Sequence, residues 1–400
     1  MYIFANLKRL RKKIRLKTGQ FVIFITIVLV IYGAVNTYIY LRGYQALPSH
    51  GNYRIWFTIC FWVIASSFVL ARFLNQAYPC LFSGIITWIG SFWLAFMLYF
   101  FIFILILDIL RLLTHFIHFF PLFIYLNYPK TKLIFFCISL ILVSLVVVSG
   151  FINARNVKIK ELSISIPKRV DSDHALRMVM VSDVHMGNLI ARRKTAKLVR
   201  KINELKPDIV VFAGDIVDED LAPVIKNNLG EALTGIKARL GVYAIPGNHE
   251  YIGGAEPAIE YLKEHGIIVL RDTSVFVDNS FYLVGRDDRD KYRFTGKKRK
   301  ELKELLTDID KSLPIILLDH QPFNLRESAA LGVDLQLSGH THHGQLWPFN
   351  YITKAMYEVS WGELKINETQ FYVSNGFGTW GPPVRLGNRP EIVLINLSFN

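Results

Sequence analysis

The sequence predicts a multi-span α-helical membrane region followed by an α/β domain built as a two-sheet αββα sandwich. Three observations carry that expectation. Four stretches within the first 154 residues have the length and apolarity of spanning helices, which need about 20 residues to cross about 30 Å of hydrocarbon. The formal charge of +14 is concentrated beside those stretches. The C-terminal 250 residues alternate short β-branched runs with helical patterns. The expected division is a membrane domain over 1–153 and an α/β domain over 154–400.

The expected spans lie near 21–40, 55–74, 83–109 and 133–154. The first is not a signal peptide: it is long, ends without a small-residue cleavage site, and is followed by three more spans. Residues 1–150 hold 13 Lys or Arg, no Glu and Asp108 as their sole acid, a formal +12; the remaining 250 residues hold 33 basic and 31 acidic side chains, a formal +2. An excess placed this way reads as a membrane-orientation signal and gives little support for a nucleic-acid surface. Lys8, Arg9, Arg11, Lys12, Lys13, Arg15 and Lys17 precede the first span and place the N-terminus in the cytoplasm. Four crossings return the chain to that side, where Arg155, Lys158 and Lys160 agree. A Phe-rich run, Leu113 to Tyr128, would reverse the side if it spanned.

Within that run, His115 and His118 share a helical face but read as headgroup-level residues rather than metal ligands. Asp108 is expected at the end of the third span, paired one turn on with Arg111 as a structural anchor. Cys60, Cys80 and Cys137 lie in or beside the spans, so neither a disulfide framework nor a thiolate metal site is expected.

In the second half, strands are expected over Leu176–Asp183, Asp208–Asp215, Val242–Asn248, Pro314–His320 and Leu335–Gly339, with helices over Arg192–Leu205 and Pro257–His265. Further strands are expected over Ser274–Val284, Gln370–Ser374 and Glu391–Leu397. Five polar motifs begin where five of the apolar runs end: Asp183-Val-His185, Gly214-Asp215-x-x-Asp218, Gly247-Asn248-His249-Glu250, Asp319-His320 and Gly339-His340-Thr341-His342. Since α/β sheets present their sites at the carboxyl ends of strands, these residues would converge. Carboxylate, amide and imidazole donors without thiolates suit Mn, Fe, Zn or Mg. Two such ions roughly 3.5–4 Å apart can clamp the attacking and leaving oxygens of a phosphoryl group. Gly214, Gly247 and Gly339 each precede a candidate ligand, where a missing Cβ permits close approach. Singly, each Asp could be a cap and each His a core residue; the ordered set is what carries the reading.

These motifs, in this order and spacing, resemble the calcineurin-like metallophosphoesterase superfamily from roughly Leu176 to Leu397. The resemblance implies that Asp183, His185, Asp215 and His342 hold one ion, with Asp215 bridging to a second held by Asn248, His320 and His340. It implies that His249 stabilises the transition state or protonates the leaving oxygen, that Asp218 orients it, and that a metal-bridging hydroxide attacks phosphorus without a covalent enzyme intermediate. Glu250 and His343 have no demanded place in the ligand set.

Glu219 and Pro246 stand where the Ser/Thr protein phosphatases carry arginines, which disfavours that activity. The basic cluster Lys291–Arg299 reads as a solvated loop or a headgroup contact rather than a nuclease surface. The chain most resembles the membrane-anchored bacterial branch, some of whose members cleave the pyrophosphate of UDP-2,3-diacylglucosamine. The expected partners are therefore the bilayer and a phosphorylated lipid or nucleotide-lipid substrate, and the expected cofactors are two divalent ions, Mn foremost. The expected location is the inner membrane with the catalytic domain cytoplasmic. Another lipid or a soluble nucleotide is the alternative substrate, and a non-catalytic receptor or scaffold the alternative role. Asn375 to Pro383 is either a substrate-contacting loop with Arg385 on a phosphate, or a rigid turn between strands.

Overall fold

The computed structural model describes residues 2–78, 80–114, 116–117, 127–170 and 175–400. His115, His118 and most of the Phe-rich run lie outside the described residues. The chain forms two compact units, Met1–Arg72 with Phe92–Val147, and Phe73–Ser91 with Val148–Asn400.

Four long helices match the expected spans, the first three overrunning them at both ends and the fourth starting earlier and ending one residue short: α1 Tyr2–Ala46, α2 Tyr53–Ala77, α3 Leu81–Leu113 and α4 Tyr128–Asn153. All four are long and apolar enough to cross a membrane, α1 over Ile25–Ala46. Polar side chains inside the first unit are matched across helices, as a low-dielectric surround requires. Trp93 Nε1 of α3 donates to Asn36 Oδ1 of α1 at 2.9 Å, and the Tyr32 hydroxyl of α1 donates to the Ala65 carbonyl of α2 at 2.6 Å. Asp108 departs from expectation. Its partners are Arg42 of α1 at 2.7 Å and the Tyr38 hydroxyl, while Arg111 lies over the Tyr128 ring. The packing of α1 on α3 supplies a nearer cation than the local helical turn does.

Among the described residues, the second unit carries twelve strands: β1 Lys158–Ile166, β2 Leu176–Val181, β3 Ile209–Ala213, β4 Val242–Ile245, β5 Ile268–Val269, β6 Thr273–Val277, β7 Phe281–Gly285, β8 Ile315–Leu318, β9 Leu335–Ser338, β10 Gly362–Ile366, β11 Thr369–Val373 and β12 Glu391–Phe399. They form two sheets, ordered β1-β12-β2-β3-β4-β5 and β10-β11-β9-β8-β7-β6. Parallel pairing runs through β2-β3-β4-β5 and β11-β9-β8-β7. The alternation of side chains along a strand builds the layers. Met178 and Met180 of β2 enter the core between the sheets with Phe281, Leu283, Ile316, Leu318, Leu335 and Leu337. Val179 and Val181 point the other way, beneath Leu198 and Ile202 of α5 (Arg192–Glu204). On the far sheet, Ile315 and Leu317 pack beneath Leu302 and Leu305. The result is the expected αββα sandwich.

Two expectations change in detail. Ser274–Val284 is a hairpin, β6 antiparallel to β7, because Asp278 and Asn279 take left-handed backbone angles that turn the chain. The strand β1 stands where only basic juxtamembrane residues were expected, paired in parallel with β12. The last turns of α4 belong to this second unit: the Gly150 carbonyl accepts from Arg385 N at 3.0 Å, and Asn153 Nδ2 donates to the carbonyls of Arg385 and Asn388. A side chain at Gly150 would strike Val384 and Leu386.

Candidate metal centre

The ends of β2, β3 and β4 in one sheet meet the ends of β8 and β9 in the other, and every predicted site residue lies in the turns just beyond them. Those turns are strained. Asp183, His185 and Asp215 each have φ of 52°, His340 has 73° and His342 has 46°, conformations costly for residues with a Cβ and found mainly where function demands them. The kink at Asp183 and again at His185 brings both side chains to one point despite their alternation along the chain. Close backbone approach does the rest: a Cβ on Gly247 would lie 2.1 Å from Asp215 Oδ1, and one on Gly214, itself at φ +92°, 2.4 Å from His320 Nδ1.

Three groups of donors result, each with its atoms within 4.8 Å of one another: Asp183, His185 and His342; His185, Asp215 and His249; Asp215, His320 and His340. In the first, the Nε2 atoms of His185 and His342 face each other at 3.0 Å, with Asp183 Oδ1 3.4 Å from His342 Nε2. Two buried imidazole nitrogens and a carboxylate aimed at one point suit a shared cation. At the other end, Asn248 Oδ1 lies 2.8 Å from His340 Nδ1 and 3.2 Å from His320 Nε2, and His320 Nε2 lies 3.1 Å from Asp215 Oδ2. His320 donates its Nδ1 proton to the Ala213 carbonyl at 2.7 Å, which leaves Nε2 free to ligate. Asp215 is common to the second and third groups.

Charge in the cluster is unevenly divided: burial pushes the Asp183 carboxyl up, and although burial would lower His320, the Asp215 carboxylate holds it well above its ordinary range. Burial opposes the charged form of His340 and takes its pKa down to about 3, and burial likewise holds His342 well below the ordinary range; both are neutral imidazoles. Burial also opposes ionisation of Asp215, but the imidazoles of His320 and His249 overcome it and hold that carboxyl well below the usual carboxylate range. His249 is the contrast. Burial would lower it, yet the carboxylates of Asp215 and Asp218 push it up to about 9, which favours its protonated form at neutral pH. Its Nδ1 lies 3.1 Å from Asp218 Oδ1 and its backbone N–H donates to Asp215 Oδ1 at 2.9 Å.

Residues outside the expected set complete the site. Glu250, buried in the first turn of α6 (Asn248–Gly253), accepts from the backbone N–H groups of Gly247 at 2.8 Å, Val217 at 2.8 Å and Asp215 at 3.2 Å. It thereby ties the Asp215 turn to the Asn248 turn. An acid three residues after a helix-capping position is a recognisable capping signal in the sequence. Arg385 is not placed to meet a substrate phosphate. It is fully buried and its guanidinium donates to the carbonyls of Asn375, Gly376 and Gly378 and to Asn388 Oδ1, with Nη2 3.1 Å from His342 Nδ1. The Asn375–Pro383 loop does reach the centre, through Phe377 N to the Ser182 carbonyl and Gly378 N to the Asp183 carbonyl. Its Trp380 is 55% exposed, with its ring 6.0 Å from that of His249. Glu219 Oε1 lies 4.0 Å from His249 Nδ1. His343 is outside the donor groups and faces Ser360. The Lys291–Arg299 cluster is not simply solvated: Lys291 pairs with Asp287 and Arg299 with Asp319, both at 2.8 Å.

Residues 176–344 match a family described as calcineurin-like phosphoesterase. An uncharacterized metallophosphoesterase of Campylobacter jejuni is 30% identical over 392 residues, covering 94% of this chain and 98% of its own length. A transmembrane protein with metallophosphoesterase domain from Danio rerio is 33% identical over 273 residues, 65% of this chain and 62% of that protein. An uncharacterized metallophosphoesterase of Helicobacter pylori is 34% identical over 249 residues, 60% of this chain and 64% of that protein. The chain thus matches a little over three-fifths of the length of the last two relatives.

Proposed function

The chain belongs to the calcineurin-like metallophosphoesterase family, and on that premise we propose that it is a membrane-anchored phosphoester hydrolase using two divalent metal ions, Mn foremost. The observation that carries this reading is the facing pair of Nε2 atoms on His185 and His342 beside Asp183, repeated a few ångströms away by Asp215, Asn248, His320 and His340. In this reading Asp183, His185, Asp215 and His342 hold one ion, and Asp215, Asn248, His320 and His340 hold the other. When bound, the two ions activate water and clamp the phosphoryl oxygens.

The protein's own groups do the remainder. His249, protonated through its carboxylate neighbours, offers a proton to the leaving oxygen and charge to the phosphoryl group. Asp218 accepts from Nδ1 and fixes the direction of that imidazole. Glu250 and Arg385 hold the turns and the loop that carry the donors, so that little reorganisation is needed on binding.

We further propose that the substrate is a lipid-linked phosphodiester or pyrophosphate such as UDP-2,3-diacylglucosamine, met by a cytoplasmic catalytic domain at the inner membrane. The spans and the basic first part of α1, ahead of its apolar stretch Ile25–Ala46, support that placement. An apolar rim beside the metal centre supports the lipid. Gln345 holds Trp380 through bonds to its N–H and carbonyl, and beyond Gln345 the exposed Trp347 leads into α7 (Phe349–Met356), which presents Tyr351, Ile352 and Met356 to the outside. Purified full-length protein, incubated with Mn²⁺ and UDP-2,3-diacylglucosamine beside an Asp215→Ala control and an aryl phosphodiester, tests both layers. Release of UMP by the wild type alone supports the full reading. Cleavage of the aryl diester alone retains the hydrolase and removes the substrate; cleavage of neither removes both.

A further inference from the structure

A cavity of about 1070 Å³ lies among the four helices of the first unit. It is larger than the roughly 300–1,000 Å³ pockets that take drug-sized ligands. Its walls come from all four helices, the lining running over Ile39–Ala46 on α1, Phe57–Ile64 on α2, Trp93–Arg111 on α3 and Tyr128–Leu140 on α4. At 1.5 Å per residue the lining extends about 10 Å along α1 and α2, about 18 Å along α4 and about 27 Å along α3, a bilayer leaflet's depth at least on the longer walls. The apolar part is walled by aromatic rings such as Phe57, Phe61 and Trp93; the other end carries Arg42, Asp108, Arg111 and Lys132.

The charges do not balance. Asp108 is held by Arg42 and Tyr38, and it is the sole acid among residues 1–150. Arg111 and Lys132 both lie over the ring of Tyr128, at 5.4 and 4.9 Å, an arrangement that gathers two cations at the rim without neutralising them. A cationic rim over an apolar shaft of leaflet depth, inside a membrane bundle, matches an amphiphile with an anionic head and acyl tails. The helix ends that form the rim are the C-termini of α1 and α3 and the N-termini of α2 and α4. The chain leaves for the metal domain from the opposite end of α4.

We propose that the membrane bundle binds one anionic phospholipid, its phosphate at Arg111 and Lys132 and its acyl chains in the shaft, at the helix ends opposite the C-terminus of α4. The site is separate from the metal centre and does not depend on the hydrolase reading. Full-length protein purified in detergent, stripped of lipid and titrated with phosphatidylglycerol or phosphatidylcholine, is read by native mass spectrometry for bound lipid. The expected result is one phosphatidylglycerol per chain, held at least tenfold more tightly than phosphatidylcholine. Arg111→Ala with Lys132→Ala should weaken phosphatidylglycerol by about 30-fold, two charges near a membrane surface being removed. Ser139→Trp, which puts an indole into the shaft, should weaken both lipids while Mn²⁺-dependent hydrolysis and melting report an intact fold. Equal retention of the two lipids by the wild type overturns the proposal, as does a double variant that binds as the wild type does. Glycerol phosphate competing as well as the whole lipid would also overturn it, by making this a small-anion site.

Discussion

Glu250→Gln isolates one charge at the junction of two ligand-bearing turns. The carboxylate is 1% exposed and receives three backbone N–H groups, two at Oε2 and one at Oε1. A glutamine keeps one oxygen for Gly247 and Asp215, but turns an NH₂ group toward the Val217 N–H, losing a charge-assisted bond and stranding a buried donor. Such a bond contributes about 1.5–3 kcal/mol and a stranded donor costs about 1–3 kcal/mol. Burial itself pushes the Glu250 carboxyl up, so removing the charge returns part of that desolvation. A net loss of about 2 kcal/mol follows, or about 4–8 °C in melting for a domain of this size. Because the same N–H groups set the directions of Asp215 and Asn248, metal affinity should fall about 10–100-fold. The assay is melting of full-length protein in chelator, paired with Mn²⁺ titration of aryl phosphodiesterase activity. A melting change within 1 °C together with metal affinity within twofold would refute the reasoning: the carboxyl would then be neutral in the fold and its three bonds ordinary.

Asp218→Asn should move the alkaline limb of the kcat/KM profile. Activity that needs protonated His249 is present below its pKa of about 9 and lost as pH rises through it; removing one of the carboxylates that raise it should bring the limb down by about 1 unit, seen in rates from pH 6 to 10. Gly247→Ala drives a methyl group into Asp215 and should cut Mn²⁺-dependent hydrolysis more than about 100-fold, measured against an unchanged circular dichroism spectrum. Arg385→Met leaves several buried carbonyls without a donor and should cost about 3–5 kcal/mol in melting; a rise in KM at unchanged melting would instead mean that Arg385 meets substrate.

The sandwich was legible because each of its central strands is an apolar run that stops at a polar motif, and the parallel order makes those stops coincide. What escaped is non-local. The run Lys158–Ile166 alternates charged and apolar residues, and its lysines also read as juxtamembrane charge; only β12, far along the chain, makes it a strand. Asp108 carries no mark of which helix it meets, so the adjacent Arg111 was the nearer guess than Arg42. Arg385 could be placed near the centre but not turned inward, since nothing local reveals that the carbonyls of residues 375–378 converge on it. The metal donors needed no such knowledge, because glycine, acid and imidazole recur at fixed places after strand ends.

The pairing of β1 with β12 sets a clock on assembly. Lys158 lies opposite Glu391, and β12 is also the neighbour of β2, so the first sheet is split until those residues have been made. At about 5–20 residues per second, β1 waits roughly 10–50 s after it emerges for its ladder partner. All four apolar helices precede it in the chain and have been synthesised by then. Biogenesis therefore runs anchor first and sheet last, with one edge of the hydrophobic β2 unpaired throughout the interval. A truncation or stalled ribosome anywhere before Glu391 yields a tethered chain whose first sheet is missing an interior strand.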